Sequence, residues 1–115
     1  MPTEFVKFQP GADANIVELR LPQSLDSMEF DDLNASLLAL LKGRAQQKWI
    51  IDLSAVTYMG SAMLGMLVNV RQQIKAGGGR LLLCGLSKQL LAIFKTCCME
   101  RLFTIVTDRR SALAS

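Results

Sequence analysis

The chain has 115 residues, half of them apolar and a fifth charged, with 13 basic and 10 acidic side chains and no histidine. That length and composition fit one globular domain over residues 1–115, and the net charge of +3 is spread too evenly for the concentrated basic face that nucleic-acid binding requires. The lack of histidine excludes the Ser-His-Asp and Cys-His catalytic devices and every histidine metal site, while the longest apolar runs, LLALL at 37–41 and AMLGMLV at 62–68, fall far short of the ~20 residues of a membrane helix.

EFVKFQ at 4–9 and NIVELRL at 15–21 each alternate apolar and polar residues, the pattern of half-exposed strands, and the link PGADA between them predicts an antiparallel hairpin. Past PQSLDS, the segment MEFDDLNASLLALLKG sets Phe30, Leu33, Leu37, Leu40 and Leu41 on one helical face, with Gly43 as its stop. Glu29, Asp31 and Asp32 in its first turn complement the helix dipole and need no metal or acid–base role. KWIIDLSAV at 48–56 is nearly continuous apolar strand, the pattern of a central strand covered on both faces.

SAMLGMLVNVRQQIKAGGG predicts a helix of about four turns with a glycine-rich exit. The AGGGR within that exit lacks the GK[ST] of a phosphate loop and follows a helix, so no cofactor fingerprint results. RLLLCGL at 80–86 is a second apolar strand. SKQLLAIFKTCCM then opens on Ser87 as a cap and turns Leu90, Leu91, Ile93, Phe94 and Cys97 toward a core. LFTIVT at 102–107 reads as a last short strand or extended segment and DRRSALAS as a terminal helical turn free to fray. The order β-β-α-β-α-β-α-(β)-α, the last strand being the segment that is either strand or merely extended, has strand–helix–strand crossovers that demand an α/β fold on a largely parallel sheet.

Cys84, Cys97 and Cys98 are odd in number, and the adjacent two bridge each other only across a strained backbone. They read as reduced thiols serving as small buried apolar side chains.

The stretch YMGSAMLG at 58–65 interrupts this apolar pattern. Ser61 stands where a helix begins, which makes it an N-cap. The same place favours negative charge, so a phosphate attached there would be tolerated. Residue chemistry leaves both roles open.

The strand ending in DLS, the YMxS loop, LG in the first helical turn, the glycine-rich exit and LLAIF before a short strand together resemble the STAS domain of bacterial anti-sigma factor antagonists. Upstream, LRLPQSLDSMEFDDL is similar to that family's second strand, its loop ending in Leu-Asp and its first helix. The resemblance implies a mixed, mostly parallel sheet of four or five strands with helices mainly on one side. It implies a non-enzymatic, cytoplasmic protein without cofactor whose partners are an anti-sigma factor with serine kinase activity and a serine phosphatase. By position, Ser61 would be the phosphoacceptor and Asp26 the acidic residue that ends the earlier loop, with the start of the second helix as docking surface; Met59, Gly60, Ala62, Met63 and Met66 surround the switch, and methionine suits an adaptable binding surface, although a helix this apolar must bury one face and with it at least Met63 or Met66. Gly60 and Ala62 replace a carboxylate and a hydroxyl common in the family, and Gln23 and Ser24 replace its usual Gly-Glu. A second reading with the same fold is the small STAS subunit that docks on the ATPase of a lipid-transport ABC system, with no phosphorylation cycle.

Overall fold

Alternation of side chains across the strands decides the architecture, because each strand offers one set of apolar residues to each face of the sheet. The computed structural model describes residues 5–22 and 25–115; Glu4, at the start of the first predicted strand, and the loop residues Gln23 and Ser24 lie outside them. The elements follow the expected order: β1 (Val6–Gln9), β2 (Asn15–Leu19), α1 (Ser27–Leu41), β3 (Lys48–Asp52), α2 (Ser61–Ala76), β4 (Arg80–Cys84), α3 (Lys88–Thr96), β5 (Thr104–Val106) and α4 (Arg109–Ala114). They form one five-stranded sheet in the order β1-β2-β3-β4-β5. β1 and β2 are the antiparallel hairpin, and all later pairs are parallel.

In β3, Trp49 and Ile51 join the main core with Val17 and Leu19 of β2 and Leu83 of β4, beneath Leu33, Leu37 and Leu41 of α1, Leu67, Val70 and Ile74 of α2, and Leu90 and Phe94 of α3. The intervening Ile50 faces the other way, into a smaller cluster with Ala14, Leu82, Cys84 and Ala112 of α4. Three helices therefore cover one face and α4 the other, which is why β3 carries a continuous apolar run. Burial of the Cys84 thiol in the second cluster pushes its pKa up to about 11.

Helix ends follow local chemistry. Asp26 caps α1 in a capping box, its carboxylate accepting from the Glu29 N–H at 2.7 Å while the Glu29 carboxylate accepts from the Asp26 N–H at 3.1 Å. Ser87 caps α3 as expected, accepting from the Leu90 N–H at 3.1 Å. The glycine exit of α2 is steric: a Cβ on Gly79 would collide with the carbonyl oxygens of Ala45 and Gln47.

Two expectations fail at the C-terminal end of the chain. Cys97 and Cys98 are exposed, not buried, because α3 ends at Thr96 and the turn carries both thiols outward; Cys84 alone fits the buried reading. The terminal turn is a docked helix and not a frayed one. Asp108 caps it, accepting from the Ser111 N–H at 2.8 Å, Ala112 is fully buried, and Arg109 pairs with Asp52 at 2.5 Å and Glu18 at 2.7 Å.

Candidate functional site

The site grows out of the segment that carries the chain from β3 to α2. After Asp52 the backbone turns tightly, with the Asp52 carboxylate accepting from both the N–H and the hydroxyl of Ser54 and the Val56 N–H donating to the Leu53 carbonyl at 2.9 Å. Val56 and Met59 bury their side chains. Their burial fixes the segment and leaves Tyr58, between them, 58% exposed, an unusual position for a large aromatic side chain.

Gly60, extended at φ −84°, is the N-cap of α2, and its carbonyl accepts the first helical bond, from the Leu64 N–H at 3.1 Å. Ser61 is one residue inside, at the first helical position, so the capping role proposed for it passes to a glycine without a side chain. The physical consequence is direct: no side-chain oxygen satisfies the opening N–H groups of α2, and the Ser61 hydroxyl is exposed at the positive end of the helix dipole.

Two depressions flank this helix start. On the α1 side a groove of about 430 Å³ is lined by Leu21, Leu25 and Phe30 beneath and by Asp26, Asp31, Tyr58, Gly60, Ala62 and Met63 around. Among the described residues its lining holds two carboxylates and no cationic side chain, so it is apolar at its floor and negative at its rim. On the α3 side a shallower depression of about 350 Å³ runs between Tyr58, Gly60, Ser61 and Leu64 and the helix residues Ile93, Thr96 and Cys97. Tyr58 and Gly60 line both, forming the ridge between them.

Of the residues selected from the sequence, Asp26, Gly60, Ala62 and Met63 converge in the first depression, and Met59, Gly60 and Ser61 in the second. Asp26 reaches the groove with its carboxylate already engaged in the capping box, so part of its role is structural. The methionines form no exposed docking patch: Met63 and Met66 pack in the core as an apolar helix face requires, and Met59 joins them. Met59, Met63 and Met66 are 2%, 8% and 3% exposed, all within the main core, because each falls on the inward side of the loop or helix. The exposed apolar side chains near the site are Tyr58 and, at the start of α1, Met28. Tyr58 was not selected from the sequence, where its only signal is an aromatic in a loop between a buried strand and a helix; the groove floor, supplied by residues 28 to 37 positions earlier, leaves no signal beside it.

A second polar cluster lies on the opposite face. Burial alone would raise the Asp52 carboxyl pKa, but the hydrogen bonds from Ser54 and the Arg109 guanidinium hold it below the ordinary carboxylate value. Glu18 is likewise lowered, chiefly by its hydrogen bond from Arg20, with Arg109 adding to it. This network ties α4 to the sheet and does not reach the Ser61 surface. Among the described residues no three carboxylate or thiol groups lie together as a metal site.

Comparison with known proteins places these features in a family context. The STAS domain family matches residues 7–112. Among solved structures, an anti-sigma-factor antagonist (STAS) domain protein from Planctomyces limnophilus superposes with a TM-score of 0.81 at 22% identity, over 95% of each chain. RsbS from Moorella thermoacetica, in a serine-to-glutamate variant, gives 0.79 at 15% identity over 95% of this chain and 92% of that one. The anti-sigma factor antagonist SpoIIAA, solved in its unphosphorylated form, gives 0.72 at 15% identity over 92% and 91%; the Bacillus protein has also been solved phosphorylated.

Proposed function

The chain belongs to the STAS domain family, and on that premise we propose that it is a regulatory protein-binding domain, an anti-sigma factor antagonist whose docking is switched by phosphorylation of Ser61. The observation that carries this reading is the start of α2: an exposed serine hydroxyl on a helix N-terminus with no side-chain cap, on a ridge between two depressions and beside an exposed tyrosine. The partner is an anti-sigma factor with serine kinase activity, a serine phosphatase resets the switch, and the exchange takes place in the cytoplasm. The apolar floor and the Asp26–Asp31 rim suit a partner that offers apolar side chains surrounded by cations.

The two states differ in electrostatics. In the isolated domain a phosphate of about −2 charge on Ser61 is stabilised by the unsatisfied N–H groups of α2. Docking would strip water from that dianion and press it against a surface already selected for the neutral hydroxyl, a cost that the apolar contacts do not offset. Phosphorylation therefore breaks the complex without unfolding the domain.

Incubation of the purified protein with radiolabelled ATP and extract of its source cells tests the reading. Label is expected on wild type and absent from Ser61→Ala, while Ser61→Asp should bind the purified kinase at least ~10-fold more weakly than wild type. Absence of phosphate on Ser61, together with equal kinase binding by wild type and Ser61→Asp, would overturn it.

A further inference from the structure

The groove between α1 and α2 suits an apolar side chain set among cations, and the chain itself carries such a surface on α4. Among the described residues the exposed large apolar side chains are Met28, Tyr58 and Leu113. Tyr58 lines the groove and Met28 stands at the start of α1 beside it. Leu113, 47% exposed on α4, belongs to neither core cluster.

Cations surround Leu113. Arg110 precedes it by three residues, so both lie on one side of the helix. Arg109 is engaged by Glu18 and Asp52, whereas Arg110 is exposed and forms no ion pair among the described residues. At the end of the helix the Lys48 ammonium donates to the Leu113 carbonyl at 3.3 Å and to the Ser115 carbonyl at 2.8 Å, and the Arg80 guanidinium donates to the Ser115 carbonyl at 3.4 Å. The groove is the complement, with Leu21, Leu25 and Phe30 as its floor and Asp26 and Asp31 at its rim. Asp26 is engaged in the capping box, but Asp31 is exposed and forms no ion pair among the described residues. Its carboxylate is free to accept a guanidinium.

The two surfaces cannot meet within one molecule. β2, β3 and β4 run parallel; the groove lies past the ends of β2 and β3, while Leu113 lies beside the starts of β3 and β4. α4 also covers the opposite face of the sheet from α1 and α2. We propose that the groove takes α4 from a second copy of this chain, with Leu113 entering over the apolar floor and Arg110 pairing with Asp31. The groove volume of about 430 Å³ accommodates a leucine together with part of the turn that carries it. Two different surfaces at opposite ends of the molecule join copies head to tail, and each added chain leaves one groove and one α4 open. One short helix in one groove is a small contact, so it is weak, and its exposed ion pair is sensitive to salt. Neither a kinase nor a phosphate on Ser61 enters this contact, so its failure would leave the proposed function standing.

Sedimentation velocity of the purified protein alone, followed up to about 1 mM chain, covers the range in which a weak specific contact is populated. The weight-average mass of wild type should climb past two chains with concentration and fall back in about 0.5 M salt. Leu113→Asp lacks the apolar anchor and Asp31→Arg lacks the acidic rim, so each should stay monomeric while melting in urea as wild type does. Leu113→Asp keeps an intact groove and Asp31→Arg an intact α4; an equimolar mixture of the two should therefore form pairs and grow no further. A wild type that remains monomeric at about 1 mM, a mass that levels off at two chains, single variants that associate like wild type, or folded variants that form no pairs on mixing would each overturn the proposal.

Discussion

At the scale of single residues, position relative to a helix end decides more than residue type. Ser61 and Ser87 both open helices in the sequence pattern, yet Ser87 caps α3 and Ser61 falls one residue inside α2 behind Gly60. A shift of one residue converts a hydroxyl committed to the backbone into one available for chemistry. Tyr58 shows the same dependence: its neighbours Val56 and Met59 turn inward and it is left on the ridge between the two depressions. Rigid aromatic side chains at the centre of a contact surface carry a large share of binding energy. Tyr58→Ala should therefore weaken binding of the proposed kinase partner by ~2 kcal/mol, about 30-fold, while leaving the urea midpoint within error of wild type. Calorimetric titration beside urea melts separates the two, and equal losses in binding and stability would assign Tyr58 to the fold.

At the scale of elements, α2 has a fully packed inner face and an outer face made of small residues near its start. Gly65 sits in the interior of the helix, is exposed, and would meet nothing within 4 Å if given a Cβ. Among the described residues no strand or side chain approaches it closely enough to require a glycine. Its cost to the helix is ~1 kcal/mol relative to alanine. Gly65→Ala should accordingly stabilise the domain by that ~1 kcal/mol, raising the melting temperature by about 4 °C. If the partner's backbone packs against this turn, the same variant binds it more weakly; thermal melts and kinase titrations on one preparation show whether stability and docking move in opposite directions.

At the scale of the whole molecule, the sheet needs both of its faces covered, and α4 does so for the face away from the other helices. Arg109 links α4 to β2 and β3 through Glu18 and Asp52. Both carboxyls titrate below their ordinary values of 4.5 and 3.8 in the folded chain. The link consequently stabilises in full above those values and is lost as the pH falls through the lower, folded ones. Arg109 is a third exposed, so the pair lies between surface and buried limits, and Arg109→Met should cost about 2 kcal/mol at pH 7. The gap from wild type should close as the pH is lowered past 4.5 and 3.8; urea midpoints across the acid range measure it, and a gap independent of pH would remove the link from the account. The sequence by itself determined the order of the elements, the hairpin, the parallel core and the division of β3 between two faces, because periodicity and turn chemistry are local properties that the chain carries residue by residue. It also marked Ser61, through the family pattern around it. Only the tertiary structure decided that Gly60 and not Ser61 caps α2, that Met59 joins Met63 and Met66 in the core, that Cys97 is exposed beside Ser61, and that α4 is docked. Each of those depends on which surface a side chain meets across the fold, from elements tens of residues away, and no local pattern encodes that meeting.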